Sequence, residues 1–200
     1  MNLDAAAFEF LKCKVCNYIS LNDQEIQSIL DSFQVRFFAK NQFLLREGQI
    51  CDFWGFIQQG LVRSYSLTTE GDEYTHGCIR EGSFISESLS FSKRSPSCVN
   101  VHALEDTILI CVSYAKLQEL YLKYPAYEKF ARMLYEERLA SAKARILYRV
   151  QLKAKDRYIH FVNTQPELIK RVPLKYIASY LNITDSTLSR IRRKISHIKV

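Results

Sequence analysis

The spacing of apolar residues changes twice along the chain and divides it into three stretches. Between residues 35 and 112 apolar and polar residues alternate, as in Leu-Val-Arg-Ser-Tyr-Ser-Leu at 61–67, and Tyr, Phe, Val and Ile are frequent. This period of two predicts β-strands. All six glycines lie in this stretch, and four of them are 11 or 12 residues apart, as expected at the turns of successive antiparallel hairpins in a sandwich or barrel. These four are Gly48, Gly60, Gly71 and Gly82.

Helical spacing is found on both sides of the β stretch. Asn22, Asp23 and Glu25 are typical of a helix N-terminus, and the residues after them form one apolar stripe, whereas residues 1–19 are only weakly patterned. After the β stretch, the pattern predicts a short helix over 114–124, which Pro125 ends, and a long helix over 126–152.

The predicted long helix has one apolar side, which the charged residues 136–138 interrupt. Its spacing fits two arrangements equally well: a seam between two copies of the chain, or a helix packed on its own β domain. The polar residues 153–156 predict a hinge, so we place three parts at 1–124, 125–152 and 153–200. The apolar side consists of Tyr127, Phe130, Leu134, Leu139, Ile146 and Val150.

Residues 173–195 predict two short helices joined by a tight turn, a helix-turn-helix. Asn182 ends the first helix, and the hydroxyl of Thr184 is placed to accept from a first-turn N–H of the second. In the first helix Leu174, Ile177, Ala178 and Leu181 recur at helical spacing, and in the second Leu188, Ile191 and Ile195 point inward. The outer face, which would meet a DNA major groove, carries Asp185, Ser186, Ser189, Arg190 and Arg193.

Amphipathic helix pairs also occur in domains that bind nothing, so the pattern alone does not establish DNA binding. The distribution of charge along the chain favours a DNA-binding function for this segment. Residues 143–200 hold 14 Lys and Arg against 3 Asp and Glu, a net charge of +11, whereas residues 1–142 have a net charge of −4. A phosphate-binding half joined to a neutral or acidic half would show this division.

Composition indicates a globular protein with two modest domains. The chain has 200 residues and 48% hydrophobic content, no basic segment at its start, and no apolar run near the roughly 20 residues that a membrane span needs. The six cysteines are scattered in a chain too large to depend on disulfides, so we expect a cytoplasmic protein with reduced thiols. They are Cys13, Cys16, Cys51, Cys78, Cys98 and Cys111.

Three stretches carry a resemblance to a known family. They are Arg-Glu-Gly-Gln at 46–49, the hairpin sequence at 60–73, and Leu-Asn-Ile-Thr-Asp-Ser-Thr-Leu-Ser-Arg-Ile at 181–191. With the order of the parts, they resemble the cAMP receptor/FNR (Crp/Fnr) family of bacterial transcription regulators over nearly the whole chain. The resemblance implies an α+β fold with an N-terminal antiparallel β-roll sensor domain, a long dimerisation helix and a C-terminal winged helix-turn-helix domain. It also implies a homodimer that reads a palindromic operator, with RNA polymerase as a partner.

The effector site departs from the cAMP-binding members of that family, which hold the cyclic phosphate with Gly-Glu and, further on, Arg followed by Ser or Thr. The resemblance places Ser86 at the Gly position, keeps Glu87 for a ribose hydroxyl, and puts Ser97 and Cys98 where Arg-Ser is expected. Lys93 and Arg94 lie nearby, but basic residues beside Pro96 are more often a solvated loop. We therefore expect that cAMP is not the effector.

Two other readings have less support. FNR itself ligates an iron–sulfur cluster, but here only Cys13 precedes Cys16, and Cys111 is displaced by one residue from the β-roll ligand, which turns a strand side chain to the other face. We expect no cluster and no metal site. The sequence has no Gly-rich phosphate loop and no metal-ligand His pair, so we expect no enzyme.

The residues point to a sequence-specific DNA-binding transcription regulator whose β-roll senses an unidentified effector or none. The alternative is a cyclic-nucleotide-binding module that acts through a protein partner, which would not explain the basic C-terminal half. Arg190 is the residue we expect to contact a guanine through its fork of N–H donors. The predicted DNA-binding residues are Thr184, Asp185, Ser186, Thr187, Ser189, Arg190, Arg193 and Lys194.

Overall fold

A computed structural model of the protein describes residues 3–196, with side chains described for residues 8–195. Within that range the chain forms nine helices and eight strands. In chain order they are α1 (Leu3–Cys16), α2 (Asp23–Leu30), β1 (Gln34–Phe38), β2 (Phe43–Leu45), β3 (Trp54–Gln59), β4 (Leu61–Leu67), β5 (Glu73–Arg80), β6 (Phe84–Ile85), α3 (Ser88–Lys93), β7 (Asn100–Ala103), β8 (Thr107–Val112), α4 (Tyr114–Lys123), α5 (Pro125–Gln151), α6 (Ala154–Thr164), α7 (Pro166–Arg171), α8 (Leu174–Tyr180) and α9 (Asp185–Ser196).

The eight strands form two four-stranded sheets, in the orders β1-β8-β3-β6 and β2-β7-β4-β5. The pairs β1–β8, β3–β8, β3–β6 and β2–β7 are antiparallel. Both sheets contribute to one apolar core, which includes Trp54 and Leu109 from the first sheet and Val62 and Val101 from the second. The predicted antiparallel β region is therefore confirmed.

The spaced glycines lie at turns, as the sequence predicts. All four have φ between 78° and 100°, a backbone conformation that residues with a Cβ rarely adopt. They are Gly48, Gly60, Gly71 and Gly82. Gly60 also needs space, because a Cβ there would lie 2.6 Å from the carbonyl oxygen of Asp106. This turn joins β3 to β4 and excludes any other residue at its centre.

Helix α2 begins where the sequence predicts. The Asn22 side chain accepts a hydrogen bond from Glu25 N–H at 2.9 Å, and the Glu25 carboxylate accepts one from Asn22 N–H at 2.9 Å, which completes a capping box. Helix α1 lies in the stretch that shows only weak patterning. Two apolar side chains of α1, Leu11 and Val15, are buried, and Phe10 makes an edge contact with Phe56 at 5.2 Å between ring centroids.

Contacts divide the chain into two compact units. The first consists of residues 1–64 and 79–136, and the second of residues 65–78 and 137–200. The tip of the β4–β5 hairpin thus groups with the C-terminal helices, and α5 contributes to both units. The domain boundaries predicted from the sequence remain a prediction.

The first half of α5 packs on the β domain of its own chain. Tyr127 and Phe130 are fully buried, and Leu134 is 8% exposed. Trp54 stacks on Phe84 at 4.3 Å and makes edge contacts with Tyr127 and Phe130, each at 6.3 Å. Phe130 and Leu134 are therefore core residues, and the interpretation of this part of the apolar side as a helix packed on its own domain is the correct one.

The second half of α5 has the opposite character, because its apolar residues are exposed. Leu139 is 72% exposed, Ile146 61% and Val150 81%. The regular elements of the C-terminal part, α6 to α9, are all helices, and no strand occurs between residues 153 and 196. Within the described residues, no helix combines the length and apolar content needed to cross a bilayer.

Candidate DNA interface and effector turn

The turn between α8 and α9 has the geometry that the sequence predicts. Asn182 adopts a left-handed conformation with φ of 54°, which ends α8. Ile183 N–H then donates to the Ala178 carbonyl at 3.0 Å, and Asn182 N–H donates to the Ser179 carbonyl at 3.0 Å. The last carbonyls of α8 are thereby satisfied while the chain reverses direction.

Helix α9 begins with the predicted cap. Thr184 Oγ1 accepts a hydrogen bond from Thr187 N–H at 3.2 Å, and the same hydroxyl donates to Thr187 Oγ1 at 2.9 Å. Ser186 Oγ lies 3.1 Å from Thr184 Oγ1. Asp185 lies in the first turn, where its charge complements the positive end of the helix dipole.

The two faces of α9 differ as predicted. Leu188 and Ile191 are buried, and Ile195 is half-buried. In α8 and its C-cap, Ile177, Ala178 and Leu181 are buried, whereas Leu174 is 40% exposed. Leu174 is the first residue of α8, where the helix has only begun to cover its neighbours. Of the predicted DNA-binding residues, Thr187 is half-buried and the other seven are exposed. The exposed ones are Thr184, Asp185, Ser186, Ser189, Arg190, Arg193 and Lys194.

The Arg190 side chain lies along the outer face of α9. Its Nε–H donates to the Ser186 carbonyl at 3.4 Å, and Nη2 donates to Thr187 Oγ1 at 3.4 Å. Both bonds are long and therefore weak, so the guanidinium can leave them at little cost for a stronger acceptor. No carboxylate binds it among the described side chains.

Two side chains that support the helix-turn-helix have roles that the sequence does not indicate. Ser179 Oγ donates to the Glu73 carbonyl at 2.8 Å and accepts from Thr75 N–H at 2.8 Å, which fastens the hairpin tip to α8. Arg157 donates to the Leu152 carbonyl at 2.7 Å and to the Leu181 carbonyl at 3.1 Å, which joins the end of α5 to the end of α8. A lone Ser or Arg at such positions gives no signal in the sequence.

The turn that resembles the phosphate cassette begins at Ser86 and Glu87. The Glu87 side chain caps α3, accepting from Leu89 N–H at 3.2 Å and from Ser90 N–H at 2.6 Å. The expected role of Glu87, binding a ribose hydroxyl, would require its carboxylate to leave these donors. A carboxylate also occupies the helix N-terminus that would otherwise receive a phosphate.

Of the other predicted effector residues, Ser86 and Ser97 are buried and contact groups of the protein itself, and Cys98 is exposed. Ser86 is 9% exposed, and its hydroxyl lies 3.7 Å from Cys51 Sγ. Ser97 is 3% exposed and its hydroxyl donates to the Val99 carbonyl at 2.9 Å. Cys98 is exposed.

Arg94 does not extend towards a phosphate site. Its Nη1 donates to the Cys51 carbonyl at 2.8 Å, its Nη2 pairs with the Asp52 carboxylate at 2.8 Å, and its guanidinium lies 4.7 Å from the centre of the Tyr114 ring. Lys93 is exposed. The Arg94 guanidinium therefore stabilises the fold through these partners and is not directed at a phosphate.

The Cys111 thiol lies in the β8 strand and is fully buried. Burial raises its pKa to about 11, although the nearby Arg36 charge opposes the shift. A thiol held neutral in this way is a poor metal ligand, because metals bind the thiolate. Among residues 8–195, no group of three or more His, Cys, Asp and Glu side chains is arranged to hold a metal ion.

Comparison with known proteins now identifies the fold. Residues 35–124 match the sequence model of the family described as the cyclic nucleotide-binding domain. A search of proteins of curated function finds no match to the chain. Among solved structures, the chain is similar to the catabolite activator protein of Thermus thermophilus, with 18% identity over 92% of this chain and 87% of that one and a TM-score of 0.58.

Two further structures are similar. The c-di-GMP-responsive global regulator CLP of Xanthomonas campestris has 17% identity, covering 88% of this chain and 92% of that one, with a TM-score of 0.69. FixK2 of Bradyrhizobium japonicum has 19% identity, covering 82% and 85%, with a TM-score of 0.68. The fold is thus a β-roll of the cyclic nucleotide-binding domain type followed by helices, similar to the fold of these regulators, and the resemblance to Crp/Fnr regulators found in the sequence is confirmed at the level of the fold.

Proposed function

We propose that the protein is a sequence-specific DNA-binding regulator that reads the major groove with α9. The observation that carries this proposal is the outer face of α9, where exposed hydroxyls and basic side chains surround a weakly held Arg190. Residues 143–200 add a net charge of +11, which favours binding to the phosphate backbone. This chemistry suits duplex DNA better than a protein partner.

Selection of bound sequences from random duplex DNA tests the proposal. We expect enrichment of a roughly palindromic site, with an affinity that falls steeply as salt rises, since each phosphate contact releases a counterion. Recovery of no motif, with almost no salt dependence, would contradict DNA binding. It would favour the alternative, a cyclic-nucleotide-binding module acting through a protein partner.

We infer that two copies of the chain associate through the second half of α5. Leu139, Ile146 and Val150 lie seven and four residues apart, so they share one helix face, and all three are exposed. Exposed apolar residues that lie along one face of a helix are typical of an interface. The partner in this proposal is a second copy, because the resemblance to Crp/Fnr regulators implies a homodimer, and dimers of two identical chains are the commonest assemblies.

Light scattering on the Ile146→Glu variant tests the dimer. The unmodified chain should have twice the mass of one chain at micromolar concentration, and Ile146→Glu should have the mass of one. Leu122→Glu is the matched control, because Leu122 is 87% exposed on α4 and should leave the mass unchanged. A monomeric unmodified chain would overturn the proposal.

We also propose that cAMP is not the effector. Glu87 fills the cap position with its own carboxylate, and Arg94 is bound to Cys51 and Asp52, so the turn offers no free bidentate cation. Loss of one charged hydrogen bond, about 1.5–3 kcal/mol, corresponds to a roughly tenfold to hundredfold weaker complex. Calorimetry should detect no micromolar binding of cAMP, and micromolar binding would contradict this proposal.

A further inference from the structure

The second unit contains a cavity of about 260 Å³ that the proposed DNA binding does not use. It lies between the second half of α5, helix α6 and the end of α8. Three arginines, Arg145, Arg149 and Arg157, contribute to its wall. All the residues that line the cavity belong to the second unit, so its shape is set within that unit.

The cavity is strongly positive. None of the described residues that line the cavity is an Asp or Glu, whereas three of them are arginines. A cleft lined by charges of one sign raises the local concentration of ligands of the opposite sign. A cavity of this composition selects for anions.

The arginines are held in place by neutral groups. Arg157 binds main-chain carbonyls at the ends of α5 and α8. Arg149 Nη2 donates to the Tyr180 carbonyl at 3.4 Å, and Arg145 hydrogen-bonds the Tyr180 side chain. These partners orient the guanidiniums without neutralising them. Each guanidinium has five N–H donors, so donors remain for a bound oxyanion.

Aromatic side chains form another part of the wall. Tyr148 meets His160 edge to face, with ring centroids 4.5 Å apart, and Phe161 lies 5.4 Å from Tyr180. Rings and guanidinium faces both favour flat π-systems. The volume is slightly below the usual range for drug-sized ligands, about 300–1,000 Å³, so the occupant is a small molecule.

We propose that this cavity binds a small organic oxyanion, a molecule that contains both an aromatic ring and a phosphate or carboxylate group. The oxyanion lies on the donors of Arg145 and Arg149, and the ring lies against Tyr148 and Phe161. The proposal does not depend on the function proposed for α9, because it concerns a separate cavity and a ligand that is not DNA.

Calorimetry of the full chain without DNA tests the proposal with four probes. AMP and benzoate each combine an aromatic ring with an oxyanion, adenosine has the ring alone, and inorganic phosphate has the charge alone. We expect AMP or benzoate to bind once per chain, at least about tenfold more tightly than either partial probe. The comparison of AMP with benzoate distinguishes a phosphorylated from a carboxylated ligand. Binding of neither at about 5 mM, or equal binding of adenosine and AMP, would overturn the proposal.

Two variants locate the binding. Arg145→Gln and Arg149→Gln should each weaken the bound probe by about tenfold to hundredfold, since each removes a charged hydrogen bond. Arg132→Gln is the matched control, because Arg132 lies on the same helix outside the cavity and pairs with Glu136. Arg145 is exposed, so its variant should fold, which thermal unfolding checks. Unchanged affinity in both cavity variants, or an equal loss in Arg132→Gln, would overturn the assignment.

Discussion

The turn at residues 84–98 and helix α9 use similar side chains in opposite ways. In the turn, Glu87 caps its own helix and Arg94 binds a main-chain carbonyl and a carboxylate of the same unit. In α9, the basic side chains lie on the exposed face, and the bonds of Arg190 are both 3.4 Å long. Polar groups in the turn hold the fold together, whereas those on α9 remain available to a ligand.

This difference shows that a charged residue in a familiar position does not define a binding site. What matters is whether its hydrogen bonds are already made inside the protein. A group bound at 2.8 Å to an internal partner must break that bond before it can serve a ligand, while a group held at 3.4 Å gives up little. Substitutions in the turn should therefore affect stability, and substitutions on α9 should affect DNA binding.

The largest expected effect is on stability, in the Arg94→Ala variant. Removing the guanidinium leaves the Cys51 carbonyl without this donor and breaks a charged hydrogen bond, which should lower the free energy of unfolding by about 1.5–3 kcal/mol. Urea denaturation measures the free energy of unfolding. Lys93→Ala is the control, because Lys93 is exposed and adjacent, and it should change stability little. Equal losses in the two variants would place Arg94 among ordinary surface charges.

The next largest effect is on the affinity for DNA, in variants of α9. Arg190→Ala should weaken binding to the selected site by about 1–3 kcal/mol and hardly change binding to random duplexes, because a guanine contact carries sequence information. Lys194→Ala should weaken both alike and flatten the salt dependence, as expected of a phosphate contact. Fluorescence anisotropy on the two duplexes measures these changes. Equal losses for Arg190→Ala on both duplexes would mean that another residue reads the site.

The smallest expected effect is that of Glu87→Ala, which removes the cap of α3. Loss of such a cap lowers the free energy of unfolding by about 0.5–2 kcal/mol. The surface pair of Glu119 with Lys116 supplies the control, because an exposed ion pair contributes about 0–1 kcal/mol and Glu119→Ala should cost less. If Glu87→Ala leaves stability unchanged, the carboxylate is not needed for the cap and becomes available to a ligand.

The sequence predicts those elements whose determinants are local. The capping box of Asn22 and Glu25, the left-handed Asn182 and the Thr184 cap all depend on residues within a few positions of one another. Turn glycines are local in the same sense, since a positive φ is a property of one residue. The helix-turn-helix and the β region were therefore predictable, and so was the outer face of α9.

The sequence does not predict which neighbours a helix meets. Phe130 and Leu139 belong to one apolar side in the sequence, yet the first is buried and the second is 72% exposed. Helix α1 shows weak periodicity because few of its side chains reach the core. The sequence also does not reveal the roles of Glu87 and Arg94. Glu87 accepts from a main-chain N–H of its own helix, and Arg94 donates to a loop more than 40 residues away.

The hydroxyl of Ser179 lies between the Glu73 carbonyl and the Thr75 amide, so one side chain fastens the hairpin tip to the first helix of the helix-turn-helix. The Thr75 amide proton can exchange with solvent deuterium only when this bond opens, because Thr75 is fully buried. Its exchange rate therefore measures how often the hairpin tip separates from α8. Faster exchange of this single amide, with the rest of β5 unchanged, would report loosening at this point alone.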